Sequence, residues 1–283
     1  MKDSISDDII NIMSYFLTVE GGEFTGKTSV VIPALTDVFR HAGFDVLSSR
    51  EPGGTPEAEK IRNRIFQRLE EEAPAIELAK LFNEARKLHL DQVVNPFLSD
   101  HANGIVLSDR YADTTMVLQG KDGGVSIDEL LRLHGEYTNN QFPDHTLILY
   151  FPEDHFDSTF RLRKKYAKKK AAQEGRDNTK WDERPLAHQR DFQRFYLGLP
   201  LLYEEKGIYR EFTGINAAQH PYDVIRDSVE ANQAFFIRKG VEANLIDSFS
   251  TLVEEPRWKR LDEIWNEQRK MAKEGVRGKD IEK

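Results

Sequence analysis

The chain has 283 residues, with 40 basic and 48 acidic side chains and a net charge of −8. This length allows one large domain or two small ones, and the composition is that of a globular protein. The acidic balance gives no reason to expect nucleic-acid binding. Cysteine is absent, which excludes disulfides, thiolate zinc sites and cysteine nucleophiles. The longest apolar run, Leu147 to Phe151, is far shorter than the roughly 18 residues of a membrane helix. We expect a cytoplasmic protein that binds neither membrane nor nucleic acid, with no secretory signal.

Five short stretches rich in β-branched and aromatic residues are predicted strands. Most are continuously apolar, which is typical of strands buried on both faces of a parallel sheet. Segments of helical length separate them, and Ile76 to Val94 is the clearest. This order predicts a three-layer α/β fold, with a five-stranded parallel sheet flanked by helices. The predicted strands are Tyr15–Glu20, Phe44–Ser49, Gly104–Ser108, Thr146–Phe151 and Ile208–Phe212.

The first predicted strand leads into a phosphate-binding pattern. Residues Gly21 to Thr28 match G-x-x-x-x-G-K-[ST], in which backbone N–H groups and a helix start hold a phosphate. Lys27 is expected to contact the β- and γ-phosphates, and the Thr28 hydroxyl to coordinate Mg²⁺. Asp109, which follows another apolar strand, is expected to orient the same ion. The residues expected around the donor nucleotide are Gly21, Gly22, Glu23, Phe24, Thr25, Gly26, Lys27, Thr28 and Ser29.

Two arginines predict a second phosphate beside the first. Arg50 and Arg110 follow neighbouring strands, at the sheet edge where open α/β proteins bind ligands. Two guanidinium groups suit a phosphate because bidentate bonds fix its orientation as well as neutralise its charge. An acceptor that is already a phosphate is ionised at neutral pH and needs no general base. The predicted catalysis is therefore alignment and charge neutralisation.

Two regions lie outside the alternating pattern. The segment 161–184 carries ten basic and four acidic residues, and its place before the last strand favours a closing lid. A tail begins at about Asn232, and Trp258, Leu261 and Trp265 recur in it at helical spacing, which predicts an amphipathic helix. We expect this helix to pack against the α/β unit or a second subunit and not to bind substrate, because its apolar face would otherwise be exposed.

Five features occur together in one order along the chain. They are Glu20-Gly21, the block Arg50 to Thr55, Leu81-Phe82 with Arg86, Asp109-Arg110-Tyr111 with Thr114-Thr115 and Gln119-Gly120, and Ile215 to Gln219. In these features the sequence resembles the thymidylate kinases, P-loop enzymes that phosphorylate dTMP to dTDP with MgATP. The resemblance implies the P-loop NTPase fold, with a helical lid at about 155–184 and a C-terminal helical extension. It divides the chain into an N-terminal extension (1–13), a kinase-like domain (14–232) and the C-terminal extension (233–283).

The resemblance also implies roles for individual residues. Phe82 matches the ring that stacks on thymine and Arg86 the group that bonds the base edge, and the two share a helix face. Residues implied to bind dTMP are Glu23, Arg50, Phe82, Arg86, Arg110, Thr114, Thr115 and Gln119. Those implied to be catalytic are Lys27, Arg50, Arg110 and the lid residues Arg161, Arg163 and Arg184. We also expect ATP and Mg²⁺ as donor and cofactor, and a homodimer.

Two residues depart from the family pattern. Many members have glycine where Phe24 stands, and we expect this bulky residue to have a negative φ. Leu118 replaces a frequent tyrosine near the sugar. Three alternatives to a dTMP kinase stay open. They are a related kinase for dUMP or a modified deoxynucleotide, a regulatory protein that binds nucleotide without turnover, and an interaction module of a larger complex.

Overall fold

Five parallel strands form one sheet in the order β2-β3-β1-β4-β5. The computed structural model describes residues 14–174, 184–241, 246, 248, 249 and 259–279. The strands are β1 (Tyr15–Gly21), β2 (Asp45–Arg50), β3 (Gly104–Asp109), β4 (His145–Tyr150) and β5 (Glu211–Asn216). The helices are α1 (Ile32–His41), α2 (Pro56–Glu70), α3 (Ala75–His89), α4 (Asn95–Asp100), α5 (Ala112–Thr115), α6 (Ile127–Thr138), α7 (Phe156–Glu174), α8 (Leu186–Glu205), α9 (Pro221–Arg238) and α10 (Lys259–Lys279). Short π-helical turns lead into α1, join α3 to α4 and follow α5: Lys27–Val31, Leu90–Val94 and Met116–Asp122.

The burial of each strand follows its place in the sheet. The central strands β1 and β3 are buried along their whole length, whereas the edge strands β2 and β5 are partly exposed. Successive side chains of β4 face opposite layers, since side chains alternate along a strand. Leu147 and Leu149 join the core under α1 and α9, and Ile148 joins the core under α6 and α8. The predicted three-layer α/β fold with a five-stranded parallel sheet is confirmed.

The last strand begins three residues later than predicted. Ile208, the predicted first residue of this strand, instead closes α8, because its N–H donates to the Tyr203 carbonyl at 2.8 Å. Gly207, with φ 72°, donates to Glu204 at 2.9 Å, which completes a Schellman ending. The apolar side chain at 208 packs against the helix core. The prediction of a strand at 208 was therefore wrong, because a helix ending can also require a buried apolar residue.

The C-terminal helices pack against the same core as α1. Helix α9 continues past residue 232, the predicted end of the kinase-like domain, and Phe235 and Phe236 are fully buried. Leu261 of α10 joins this core, and Trp265 contacts His220. Leu261 and Trp265 thus pack against the α/β unit as predicted, whereas Trp258 and the segment 1–13 lie outside the described residues. Among the described helices, none has the length and apolar character that a membrane crossing requires.

Candidate active site

The candidate site lies at the carboxyl ends of β1, β2 and β3. Asp109 of β3 is in register with Val19 of β1 on one side and Arg50 of β2 on the other. The pairing continues one residue further, because Glu51 N–H donates to the Asp109 carbonyl and Arg110 N–H to the Val19 carbonyl. Parallel strands end at the same sheet edge. The phosphate loop and both predicted arginines therefore leave the sheet side by side.

The phosphate loop holds its lysine in a buried position. Gly21 has φ 126°, and a Cβ there would lie 2.2 Å from the Leu149 carbonyl oxygen, so this turn requires glycine. The Lys27 ammonium donates to the carbonyl oxygens of Gly21 at 2.9 Å and Gly22 at 2.6 Å. Burial, together with the nearby Arg110, lowers the pKa of Lys27 to about 8. Phosphate oxygens can replace these weak carbonyl partners and would favour the charged form of the lysine.

Phe24 adopts a conformation that the sequence did not predict. Its φ is 63°, so the expectation of a negative φ is wrong. The ring contacts Phe160 of α7 edge to face, with centroids 5.2 Å apart, and packs against the main core. A bulky residue with positive φ is uncommon because its Cβ is crowded. Here the contact of the partly buried ring offsets that cost, and it ties the phosphate loop to α7.

Thr28 and Asp109, the two predicted Mg²⁺ ligands, are hydrogen-bonded to each other, with the Thr28 hydroxyl donating to Asp109 Oδ2. Asp109 is 8% exposed, and its Oδ1 has no hydrogen-bond partner within the described residues. A buried carboxylate oxygen without a partner is costly. Mg²⁺ is commonly held by one or two protein oxygens together with phosphate oxygens and water. This hydroxyl and carboxylate pair therefore fits a magnesium ion beside the phosphate loop.

Arg110 connects the phosphate loop to α5 and α8. Its guanidinium donates to the Gly21 carbonyl and the Thr114 hydroxyl, each at 3.3 Å. It also donates to the Tyr196 hydroxyl at 3.2 Å and forms an ion pair with Glu23. Burial raises the pKa of Glu23, but the attraction of Arg110 and Lys27, together with the hydrogen bond from Arg110, outweighs it, so this pKa lies below its usual value. Both groups are therefore charged at neutral pH, and the arginine is held at the loop by Glu23, a predicted dTMP-binding residue.

Glu20, the last residue before the loop's first glycine, is a buried acid that holds the start of α5. Its carboxylate accepts from the Tyr111 N–H at 2.7 Å and the Thr114 hydroxyl at 2.8 Å. Burial and the repulsion of Asp113 raise the pKa of Glu20 to about 7. Thr114, a predicted dTMP-binding residue, lies also 2.9 Å from the Tyr196 hydroxyl. Sequence reasoning missed Tyr196, because nothing near it in the chain distinguishes it from other aromatic residues of α8.

Arg50 lines a cavity of about 930 Å³ to which Asp109 also contributes. Its guanidinium donates to Glu59 of α2 at 2.8 Å. Arg62 of α2, which was not predicted, donates to the Pro52 carbonyl at 2.7 Å, and burial together with repulsion by Arg50 and Arg110 lowers its pKa. The available signal was its position on the helix that directly follows the Arg50–Thr55 block. A third arginine thus lies beside the loop that follows β2.

The predicted base-reading arginine is buried in a polar network. Arg86 is 1% exposed and donates to Glu51 at 2.8 Å, to Asn83 at 2.9 Å and to the Thr115 hydroxyl at 3.0 Å. His89 lies 3.0 Å from the other oxygen of Glu51. The structure thus brings the predicted Arg86 and Thr115 together. Their partners Glu51, Asn83 and His89 were missed, because only the folded chain places the loop after β2 against α3.

Phe82 lies one helical turn before Arg86, and its ring is 6% exposed. It packs with Ile65 of α2 and with Leu81. Stacking of a base on this ring therefore requires α2 and α3 to separate.

Gln119 is 1% exposed, and its Oε1 has no hydrogen-bond partner in the described part of the chain. The amide oxygen of Gln119 can therefore accept a hydrogen bond from a ligand.

The three predicted lid arginines occupy different surroundings. Arg163 of α7 is 7% exposed, lines a cavity of about 370 Å³ beside the phosphate loop, and donates to the Ala217 carbonyl at 3.3 Å. Burial lowers its pKa to about 10. Arg161 is exposed, and Arg184 pairs with Asp122. Of the three, Arg163 is the arginine that the structure brings to the phosphate loop.

Comparisons with known proteins identify the family of this chain. A family model of thymidylate kinase matches residues 19–200. The thymidylate kinase of Lactobacillus delbrueckii subsp. bulgaricus is 33% identical over 138 residues, which cover 49% of this chain and 64% of that protein. The thymidylate kinase of Cereibacter sphaeroides is 38% identical over 135 residues, which cover 48% of this chain and 61% of that protein. The matched segments thus span less than two thirds of these relatives.

The fold also has a counterpart among solved structures. The crystal structure of thymidylate kinase from Ehrlichia chaffeensis superposes with a TM-score of 0.56 at 19% identity, covering 77% of this chain and 98% of that one. At this identity the likeness shows the fold alone. The family model, by contrast, matches more than half of the chain and includes the phosphate loop, Arg50, Arg86 and Arg110. The chain therefore belongs to the thymidylate kinase family.

Proposed function

We propose that the protein transfers the γ-phosphoryl group of MgATP to the 5′-phosphate of dTMP, forming dTDP and ADP. The observation that carries the proposal is that Lys27, Arg50 and Arg110 lie at or just beyond the carboxyl ends of the neighbouring strands β1, β2 and β3. One buried cation belongs to a donor phosphate loop, and the two arginines provide charge for an acceptor that already carries a phosphate. The relatives named thymidylate kinase support the choice of dTMP.

The chemistry requires alignment and not proton removal. An oxygen of the acceptor phosphate attacks the γ-phosphorus while the bond to the ADP oxygen breaks, and the acceptor is ionised before it reacts. Lys27 and Arg110 neutralise charge on the transferred group, and Arg163 of the lid lines the same cavity as these two cations. Magnesium, held through Thr28 and Asp109, would neutralise the β- and γ-phosphate oxygens when bound. Each group acts because it is held in place before the reaction, and such preorganised electrostatic stabilisation usually accounts for most of the rate enhancement.

Two buried groups favour a thymine or uracil base. Arg86 offers N–H donors, which suit the O4 carbonyl of these bases and oppose the amino group of cytosine. Gln119 Oε1, buried and without a partner in the described residues, suits the N3–H donor of the same bases. Phe82 provides the aromatic surface once α2 and α3 separate. The expected preference is therefore for dTMP, with dUMP as the nearest competitor.

One assay distinguishes this proposal from its alternatives. ADP release is measured with MgATP and dTMP, dUMP, dCMP, dAMP or dGMP in turn. Fast release with dTMP supports the proposal, whereas a preference for another monophosphate identifies a related kinase. If no monophosphate causes ADP release although the protein binds ATP, the protein is a regulatory nucleotide-binding protein or a module of a larger complex. Lys87→Met, at an exposed residue of α3, is a control that should behave as wild type.

Magnesium dependence is tested by the pair Thr28 and Asp109. Asp109→Asn should raise the Mg²⁺ concentration needed for half-maximal ADP release, because it removes the negative charge that attracts the ion. An unchanged magnesium requirement would remove Asp109 from the site. The homodimer, the cytoplasmic location and the domain boundaries at residues 13 and 232 stay predictions.

A further inference from the structure

The C-terminal helix α10 forms one wall of the cavity beside the phosphate loop. Two of its residues, Ile264 and Gln268, line this cavity of about 370 Å³ together with Lys27 and Thr28 of the loop. The volume lies in the range of small-molecule binding sites. The tail of the chain therefore reaches the place where the donor phosphates are expected.

Contacts on both sides of α10 fix the position of this wall. The Trp265 ring contacts the His220 ring edge to face at 5.2 Å and lies 5.8 Å from the Arg163 guanidinium. The His220 ring also lies 3.2 Å from Asp262. Glu267 pairs with a lysine of α7 at 2.6 Å. The helix is thereby clamped between α7 and the loop that follows β5.

Gln268 is the polar exception on the buried face of α10. Leu261 and Met271, on either side of it along this face, are 8% and 7% exposed and apolar. Gln268 is 2% exposed, and its Oε1 has no hydrogen-bond partner within the described residues. A buried acceptor without a partner destabilises the fold, and an apolar residue of similar size would avoid that cost. An amide in this position therefore indicates a ligand that donates a hydrogen bond.

The charges around the cavity indicate the class of that ligand. The described residues that line it include the cations Lys27, Arg110, Arg163 and Lys170, against the single carboxylate of Glu23. This balance favours an anion such as a nucleoside triphosphate. The adenine edge offers an amino donor beside the N7 acceptor, the pattern that a glutamine amide can bind with two hydrogen bonds. Guanine offers two acceptors on the same edge and leaves Oε1 without a partner.

We infer that Gln268 binds the adenine of the phosphoryl donor, so that the C-terminal extension selects ATP over GTP. The inference rests on the proposed function for the identity of the donor. The inference differs from the sequence-based expectation that the C-terminal tail does not bind substrate. Trp265 only holds α10 in position, whereas Gln268 contacts the nucleotide directly.

The test measures binding of the non-hydrolysable analogues AMPPNP and GMPPNP with Mg²⁺, by titration calorimetry on the full chain. Gln268→Met keeps the side-chain length and removes both polar atoms, so AMPPNP affinity should fall about tenfold, the effect of losing one to two neutral hydrogen bonds. GMPPNP affinity should fall less than AMPPNP affinity, because guanine does not use the amide oxygen. Asn266→Met, the same exchange on the exposed face of α10, is the matched control and should change neither affinity.

Thermal melting without nucleotide separates binding from a structural role. Removing a buried unpartnered amide should leave the melting temperature of Gln268→Met unchanged or raised. Three results would overturn the inference: unchanged AMPPNP affinity, equal losses for both analogues, or a lowered melting temperature. Binding of these analogues requires no nucleoside monophosphate, so a protein that phosphorylates no monophosphate can still pass this test. A protein that phosphorylates dTMP normally can equally fail it.

Discussion

The buried ion pair between Arg86 and Glu51 gives the most direct test of the site. The two side chains are 1% and 4% exposed and lie 2.8 Å apart. Replacing Arg86 by methionine fills most of the volume but leaves the Glu51 carboxylate buried beside His89. Loss of one partner of a buried pair typically costs about 3–5 kcal/mol of folding stability. Because His89 still contacts Glu51 Oε1 at 3.0 Å, we expect about 3 kcal/mol.

The assay is urea unfolding of four proteins: the wild type, Arg86→Met, Glu51→Gln and the double variant. The double variant should lose less stability than the sum of the single losses, by about 0.5–3 kcal/mol, because the second change removes the stranded charge. Lys87→Met is the control, since Lys87 is 54% exposed and pairs with Asp91 at the surface. Its loss should stay within about 0.5 kcal/mol.

Kinetics on the same variants test whether Arg86 also hydrogen-bonds to the thymine base. Arg86→Met should raise the KM for dTMP about tenfold or more, since a buried edge of the base would lose its charged partner. The KM for ATP should hardly change, because ATP binds on the other side of the transferred phosphate. A stability loss below about 1 kcal/mol would refute the buried pair. Equal effects on both KM values would refute the thymine contact.

Three further predictions concern the phosphate loop, the base pocket and a buried acid. Lys27→Ala should lower turnover at least about 10²-fold with little change in melting, and near-normal turnover would remove it from the site. Phe82→Ala should cost about 3–5 kcal/mol in urea unfolding, because the ring is buried against α2. A loss below about 1 kcal/mol would contradict this packing. The pKa of Glu20 is raised from 4.5 to about 7, so the folded protein keeps a proton that the unfolded chain releases. The contribution of Glu20 to stability should therefore be full below pH 4.5 and be lost as pH rises through about 7, and Glu20→Gln should remove this loss. A wild-type profile that is flat over this range would contradict the assignment.

The phosphate loop could be predicted from the sequence because it is a local structure. Gly21, Lys27 and Thr28 lie within one turn between a strand and a helix, so their spacing alone carries the chemistry. The strand-end positions of Arg50 and Arg110 could also be predicted, since parallel strands place their carboxyl ends together. The alternation of apolar strands with helical segments was enough for the three-layer fold.

The tertiary structure decided everything that depends on two distant segments meeting. Phe24 takes a positive φ because its ring packs on Phe160, which no local pattern indicates. Arg86 is buried with Glu51 because α3 packs beside the loop after β2. The amphipathic pattern of α10 predicted a buried face but not its neighbour, since an apolar stripe can pack against any apolar surface. Only the folded chain brings Gln268 to the phosphate loop, because its cavity is built from both ends of the sequence.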